Sequence, residues 1–273
     1  MPVINTNVNS LTIQQALNTN QRTLSQSIQQ LSTGTRVNSA ADDAAGLAIS
    51  NKMTSQIKGL NQAVRNANDG ISMLQTADGA SQEITNMLQR MRELAVQSVN
   101  GTNSSNDRTS LNKEFQDLQK QIANITKNTS WNGTKVLSGA GVIKYQVGSG
   151  SGQVITATFT SLNTSAVGLY VSAASEILSA TSASGNITKI DSALTAINDY
   201  RSTIGSKINR LVYAADNASN VSMNQAASRS RILDTDYAKA TSELARAQII
   251  QEAGTAMLSQ ANQMPATVLA LLK

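Results

Sequence analysis

The chain has 273 residues, of which 40% are hydrophobic but only 3% aromatic, and it contains neither cysteine nor histidine. Disulfides, thiolate metal sites, histidine general bases and Ser-His-Asp or Cys-His nucleophile sets are therefore excluded. The net charge of +5 is spread along the chain with no basic block, so the electrostatic footprint of a nucleic-acid binder is missing.

Residues 4–33 read as a helix with sparse apolar positions at Ile4, Val8, Leu11, Leu17, Leu24, Ile28 and Leu31, separated by Asn, Gln, Ser and Thr. Such a helix is marginal alone. Gly34-Thr35-Arg36-Val37-Asn38 breaks it, and Ser39-Ala40-Ala41-Asp42 has capping-box spacing, so a second helix starts near Asp42 or Ala44.

That second helix organises the rest. Apolar and small residues recur in steps of three and four at Ile57, Leu60, Val64, Ala67, Ile71, Leu74, Ala77, Ser81, Ile84, Leu88, Met91 and Ala95. A heptad seam of this length predicts a coiled-coil helix running to Ser98, roughly 80 Å long at about 1.5 Å per residue. Gly70 and Gly79 each cost about 1 kcal/mol relative to Ala. The pattern continues past both, so they read as weak points in one continuous helix. Asn100-Gly101 is the expected stop.

A third helix carries Leu111, Phe115, Leu118, Ile122 and Ile125 and is expected to fold back antiparallel on the second. The period then changes to alternation in Val142–Val147 and Val154–Phe159, with Gly148-Ser-Gly-Ser-Gly152 between them, which is a β-hairpin signal. Residues 161–185 are weakly patterned. The heptad returns from Ile187 through Ile190, Leu194, Ile197, Ile204, Ile208, Leu211, Ala215 and Ala218, with Arg201 as a polar intruder. A polar stretch, 219–231, precedes the last helix, which carries Leu233, Tyr237, Ala240, Leu244, Ala247, Met257, Leu258, Val268, Leu269, Leu271 and Leu272.

The fold class is mainly α: a long coiled coil or bundle built from the N- and C-terminal segments, with a small β-hairpin region in the middle. Residues 1–43 with 233–273 form one expected domain, a coiled coil of the two ends. Residues 44–185 with 186–232 form the other, a helical bundle beside the hairpin. Arg22 is the one charge in residues 1–35, and residues 253–272 carry none. Ends so poorly solvated are expected to be covered by a partner. No run of 18 apolar residues exists, and the first ten residues lack a basic n-region and an apolar h-region, so neither a membrane span nor a cleaved signal peptide is expected.

These residues resemble bacterial flagellin over nearly the whole chain. The similarity is carried by Ile4-Asn5-Thr6-Asn7, by Leu31–Gly46 with its Leu-Ser-Thr-Gly-Thr-Arg-Val-Asn-Ser-Ala-Ala-Asp-Asp run, and by Ala67–Ser72 and Gln89–Gln97 inside the long helix. It continues in Asn132–Leu137, Tyr145–Gly148, Ser228–Tyr237, Gln260–Pro265 and Leu269–Leu272. The resemblance implies a structural, non-catalytic subunit of the flagellar filament, with no cofactor. It implies that the terminal helices line an inner tube and order on polymerisation, with the inner helices forming an outer tube. The assembly seam would then include Ile4, Val8, Leu11, Leu24, Ile28, Leu31, Leu244, Leu258, Val268, Leu269, Leu271 and Leu272.

Further implications are export of the unfolded chain through the flagellar secretion channel, an export chaperone on the C-terminal segment, and contacts with hook-associated and cap proteins. Residues 161–185 stand where many members carry a large insertion, which implies vestigial outer domains. Gln89, Arg90, Leu94, Gln97 and Glu114 match positions that face neighbouring subunits and host Toll-like receptor 5, and Leu94, one residue off the seam, is expected to be available to a partner. Two alternatives stay open at this point: a hook–filament junction protein of the same architecture, and a secreted membrane-active coiled-coil protein.

Overall fold

The computed structural model describes residues 6–139, 141–162 and 175–271. Five helices and two short antiparallel strand pairs follow one another as α1 (Val8–Thr33), α2 (Ala44–Val99), α3 (Ser105–Asn128), β1 (Ser130–Trp131), β2 (Thr134–Lys135), β3 (Gly141–Gln146), β4 (Val154–Phe159), α4 (Ala180–Leu233) and α5 (Tyr237–Leu271). The chain divides into two compact units, one of residues 1–55 with 224–273 and one of residues 56–223, the division falling inside α2 and α4.

In the first unit, α1 and α5 run side by side and antiparallel, since Asn7 Nδ2 donates to the Ala261 carbonyl and Asn20 Nδ2 to the Ala247 carbonyl, each at 2.7 Å. Asn7 also caps α1, accepting from the Ser10 amide at 3.1 Å. Gly34 ends α1 at φ 71°, a left-handed conformation that calls for glycine, and a β-carbon there would stand 2.9 Å from the Tyr237 hydroxyl and push it aside. Next to it the chain pairs with the α4–α5 corner: Arg36 N donates to Leu233 O at 2.6 Å and Thr235 N to Gly34 O at 3.0 Å. Val37 is buried beneath this junction.

The helix starts differ from the expected capping box in one respect. Asp42 Oδ2 gathers the amides of Asn38 and Ser39 and the Ser39 hydroxyl, which holds its carboxyl below the usual range, but this closes the turn before the helix. Asp43 makes the cap itself, accepting from Gly46 N at 2.8 Å. The polar stretch 219–231 is also helical. It belongs to α4, where Ser222 Oγ donates to Asn61 Oδ1 at 2.9 Å and Arg229 Nη1 to Thr54 Oγ1 at 3.3 Å. The break falls at Asp234–Asp236, with Asp236 Oδ1 accepting from Ala238 N at 3.0 Å to start α5.

The second unit holds the hydrophobic core, with Phe115, Leu74, Ile84, Leu88, Met91, Leu94, Leu137, Ile177, Ile190, Ile197 and Leu211 all fully enclosed. The seam of α2 is a strict 3-4 alternation through Leu60, Ala63, Ala67, Gly70, Leu74, Ala77, Ser81, Ile84, Leu88, Met91, Ala95 and Ser98. Ala63 and Gly70 replace the expected Val64 and Ile71, which are only half-buried. At Gly70 the small residue wins because the hairpin approaches: Tyr145 packs on it, as Ser149 does on Gly59. In α4 the seam position is Tyr200 and not Arg201; Arg201 turns aside to pair with Asp78 at 2.8 Å.

The expected β3–β4 hairpin forms, with its register running from Gly141 opposite Phe159 to Gln146 opposite Val154. Its inner face offers Tyr145, Ile155, Ala157 and Phe159. Tyr145 donates its hydroxyl to Met73 Sδ at 3.3 Å, Tyr200 donates to the Val136 carbonyl at 3.3 Å, and burial pushes the Tyr145 phenol up to about 12 and the Tyr200 phenol higher still. Trp131 is half-buried at the edge of this core.

Buried polar side chains lace the returning segment into the second unit. Asn112 Oδ1 accepts from Ile177 N at 2.9 Å, and Gln119 Nε2 donates to Ser175 O at 3.1 Å. Ser98 Oγ donates to Ile177 O at 2.5 Å, and Asn186 Nδ2 to Glu176 O at 2.9 Å. The expected α3 stripe of Leu111, Phe115, Leu118, Ile122 and Ile125 is thus rotated: Asn112, Phe115, Gln119, Ile122 and Thr126 face inward, and Leu111, Leu118 and Ile125 flank them. Of the vestigial region expected at 161–185, residues 163–174 lie outside the described residues.

Candidate functional site

Two surfaces are candidates. The first is the α1–α5 pair. Positions of low exposure on α1 are Ser10, Ile13, Leu17, Asn20, Leu24, Ser27 and Leu31, again in 3-4 steps. On α5 they are Ala240, Leu244, Ala247, Gln251, Gly254, Leu258 and Ala261. Packing across this seam is close, because a β-carbon on Gly254 would lie 2.6 Å from Leu17 Cδ2. The helices therefore approach on leucines interleaved with small and amide side chains, and asparagine donors from α1 satisfy themselves on α5 carbonyls.

This rearranges the sequence-derived seam. Leu24, Leu31, Leu244 and Leu258 lie in the pairing face. Val8, Leu11 and Ile28 do not: they point outward at 55%, 56% and 51% exposure. Ile4 and Leu272, and the side chains of Val268, Leu269 and Leu271, lie outside the described residues. On α5 the outward set is Ile249, Ile250, Met257 and Met264. Sequence reasoning missed Ser10, Asn20, Ser27 and Gly254; the 3-4 spacing reveals them once small and amide residues are admitted to the seam.

The second surface lies on α2 and α3. Arg108 donates to the Ser98 and Asn100 carbonyls at the end of α2, where the helix dipole favours a cation. Ser104 and Asp107 form a capping box that starts α3 and holds the Asp107 carboxyl below its usual range, through the Ser104 hydroxyl first. This tight turn folds α3 back so that Arg90 faces Glu114. Arg90 Nε donates to Glu114 Oε1 and its Nη1 to Glu93 Oε2, each at 2.9 Å. The Glu114 hydrogen bond, then the Glu93 one, raises the Arg90 guanidinium further. Arg92 reaches Asp191 of α4 at 2.7 Å.

Gln89, Arg90, Gln97 and Glu114 are exposed on this face, beside Val96. Leu94 corrects the expectation that it is available: it is 1% exposed, part of the core with Phe115 and Met91. One step off the strict seam still points inward, because α2 is covered on two sides here and its buried stripe is wider than a two-helix contact.

Among the described residues no helix is long and apolar enough to cross a membrane. The model of the bacterial flagellin N-terminal helical region matches residues 4–141, and that of the bacterial flagellin C-terminal helical region matches residues 187–272. A flagellin of Halalkalibacterium halodurans is 44% identical over 99% of this chain and 100% of its own length. Flagellin A of Vibrio cholerae is 33% identical over 99% of both chains, in an alignment of 375 positions, so it carries sequence that this 273-residue chain lacks. The crystal structure of Bacillus cereus flagellin superimposes with a TM-score of 0.51 at 34% identity, covering 56% of this chain and 88% of that one. A putative flagellar hook-associated protein from Vibrio parahaemolyticus shares the fold alone, with a TM-score of 0.59 at 13% identity over 71% of this chain and 100% of its own.

Proposed function

The chain belongs to the bacterial flagellin family and is a structural subunit of the flagellar filament, in a short form; from that premise we propose that its assembly surface is the outward face of the α1–α5 pair. The observation that carries the reading is the exposure of Val8, Leu11, Ile28, Ile249 and Met257, on an α1 whose one charge is Arg22 and an α5 that carries no charge after Glu252. Each helix of the pair meets its mate on leucines interleaved with small and amide residues and leaves a second set of large apolar residues facing away. A monomer gains nothing from that arrangement, whereas a chain surrounded by copies of itself buries them all.

Contacts between identical chains that do not close into a ring generate an open helix, the geometry of a filament. In this reading residues 1–43 with 233–273 line the inner tube and residues 44–232 form the outer one. The ordering of the terminal helices, marginal as isolated elements, falls at the moment of assembly. Extracellular delivery through the flagellar secretion channel, a chaperone on the C-terminal segment, and hook-associated and cap proteins as end contacts follow from the same premise.

The test is electron microscopy after salt-induced polymerisation of the purified protein. Tubes are expected, and limited proteolysis of the unpolymerised protein is expected to trim both ends. Absence of tubes, or ends that resist protease before assembly, would overturn the reading.

We further propose that the exposed polar face of Gln89, Arg90, Gln97 and Glu114 serves neighbouring subunits in the filament and Toll-like receptor 5 when the subunit is free. Leu94 supports this face from beneath. A variant carrying Arg90→Ala and Glu114→Ala is expected to keep its fold and lose signalling in receptor reporter cells; full signalling by that variant would remove the receptor role.

A further inference from the structure

Met257 stands one heptad after Ile250 and one before Met264, at 62% exposure with neighbours at 44% and 57%. The three form an apolar stripe on the flank of the α5 seam, inside a helix with no charge between residues 253 and 271. Two of the chain's eight methionines, Met73 and Met91, are enclosed at 3% and 0% exposure. Met257 therefore combines solvent access to its sulfur with a place on the surface that assembly is to cover.

We propose that Met257 is a redox-sensitive modification site that gates polymerisation: a peroxide oxidises its thioether in the free subunit, and the sulfoxide bars the stripe from burial by a second copy. The inference rests on the assembly surface proposed above. In the step, a sulfur lone pair attacks one oxygen of hydrogen peroxide and the O–O bond breaks. The sulfur gives up two electrons and gains the oxygen, and the departing hydroxide takes the remaining proton and leaves as water.

The thioether packs as an apolar group, but the sulfoxide oxygen is a strong hydrogen-bond acceptor. The α5 backbone supplies it no donor, since helix amides beyond the first turn are already paired within the helix. Burying that oxygen unpartnered costs enough to weaken the contact about tenfold or more. Once the polymer forms, the sulfur is shielded, so the filament resists the oxidant that disables its precursor.

The test treats full-length monomer with hydrogen peroxide to partial oxidation, induces polymerisation with salt, and maps sulfoxides by peptide mass spectrometry in pellet and supernatant. Met257 sulfoxide is expected to be depleted about tenfold or more from the pellet. Met223, 65% exposed on α4, is the internal reference for an accessible methionine outside the stripe. Met257→Leu, close in volume and not oxidisable, is expected to lose less polymer to peroxide than the parent, with Met264 in the same stripe accounting for the remainder. Equal Met257 sulfoxide in pellet and supernatant, or equal loss of polymer by peroxide-treated parent and Met257→Leu, would overturn the proposal. Failure of the untreated parent to polymerise would instead strike the assembly reading and take this one with it.

Discussion

The ring of Tyr145 rests on the backbone of Gly70: a β-carbon at that glycine would stand 2.9 Å from Cδ1 and 3.0 Å from Cε1. The helix loses intrinsic stability at Gly70 and recovers it as contact with the hairpin. Gly79, nine residues on and exposed, has nothing within 4 Å of the same construction. Gly70→Ala is therefore expected to destabilise the protein by about 1–3 kcal/mol, overpacking exceeding the gain in helix propensity. Gly79→Ala is expected to stabilise it by up to about 1 kcal/mol. Urea unfolding of the two variants checks the opposite signs.

Leu94 and Arg90 separate stability from the proposed receptor contact. Leu94→Ala is expected to cost about 2–5 kcal/mol, as a truncated core leucine. Arg90→Ala removes exposed ion pairs with Glu93 and Glu114 and is expected to leave the unfolding midpoint nearly unchanged. Circular dichroism melts on both, run beside the receptor assay, show whether any signalling defect in Leu94→Ala accompanies a loss of fold.

The lacing of Ser175–Ile177 predicts a second contrast. Asn112→Ala leaves the Ile177 amide buried without its acceptor and is expected to cost about 1–3 kcal/mol. Ser175 Oγ is buried with no hydrogen-bond partner among the described residues. Ser175→Ala removes that unsatisfied group, so it is expected to be neutral or stabilising by about 1 kcal/mol. Denaturant midpoints distinguish the two.

The tyrosines give an alkaline prediction. Burial raises the Tyr145 phenol from 10.0 to about 12, so the folded state holds this proton more tightly than the unfolded chain does. Its contribution is complete below pH 10 and is lost as pH rises toward about 12, with Tyr200 extending the loss upward. Stability measured at rising pH is expected to fall from pH 10 onward, and Tyr145→Phe to flatten the part of that slope that ends near 12.

Much of the fold was legible in the sequence because one period governs it. The heptad of α2 passes Gly70 and Gly79 without a break, and the alternation of Val154–Phe159 marks the inward Ile155, Ala157 and Phe159. What the pattern misplaces are faces. Val64 and Ile71 outrank Ala63 and Gly70 in hydrophobicity, yet the smaller pair is the buried one, at Gly70 because the hairpin lies against it.

Asn112 and Gln119 are hidden from any pattern of this kind, since their burial depends on backbone groups 65 and 56 residues away. On the α1–α5 pair, Val8 and Ile28 read as seam because apolar residues usually face the nearest partner in the same chain. Here Ser10 and Ser27 take that place beside Leu17, Leu24 and Leu31, which leaves Val8 and Ile28 for other surfaces. The charge-poor ends point to the proposed assembly surface more directly than the apolar spacing does.

The lacing of Ser175–Ile177 also bears on the order in which the chain folds. Three of its hydrogen bonds close loops of 79, 65 and 56 residues, while α2 and α3 meet across a turn of a few residues. Loop closure of that length carries the larger entropic barrier, so the α2–α3 hairpin forms first and waits with Ser98, Asn112 and Gln119 unsatisfied. Arrival of Ile177 then seals the core and brings Asn186 with it, launching α4. The bundle thus has its own timer: it stays open until the middle of the sequence has returned to it.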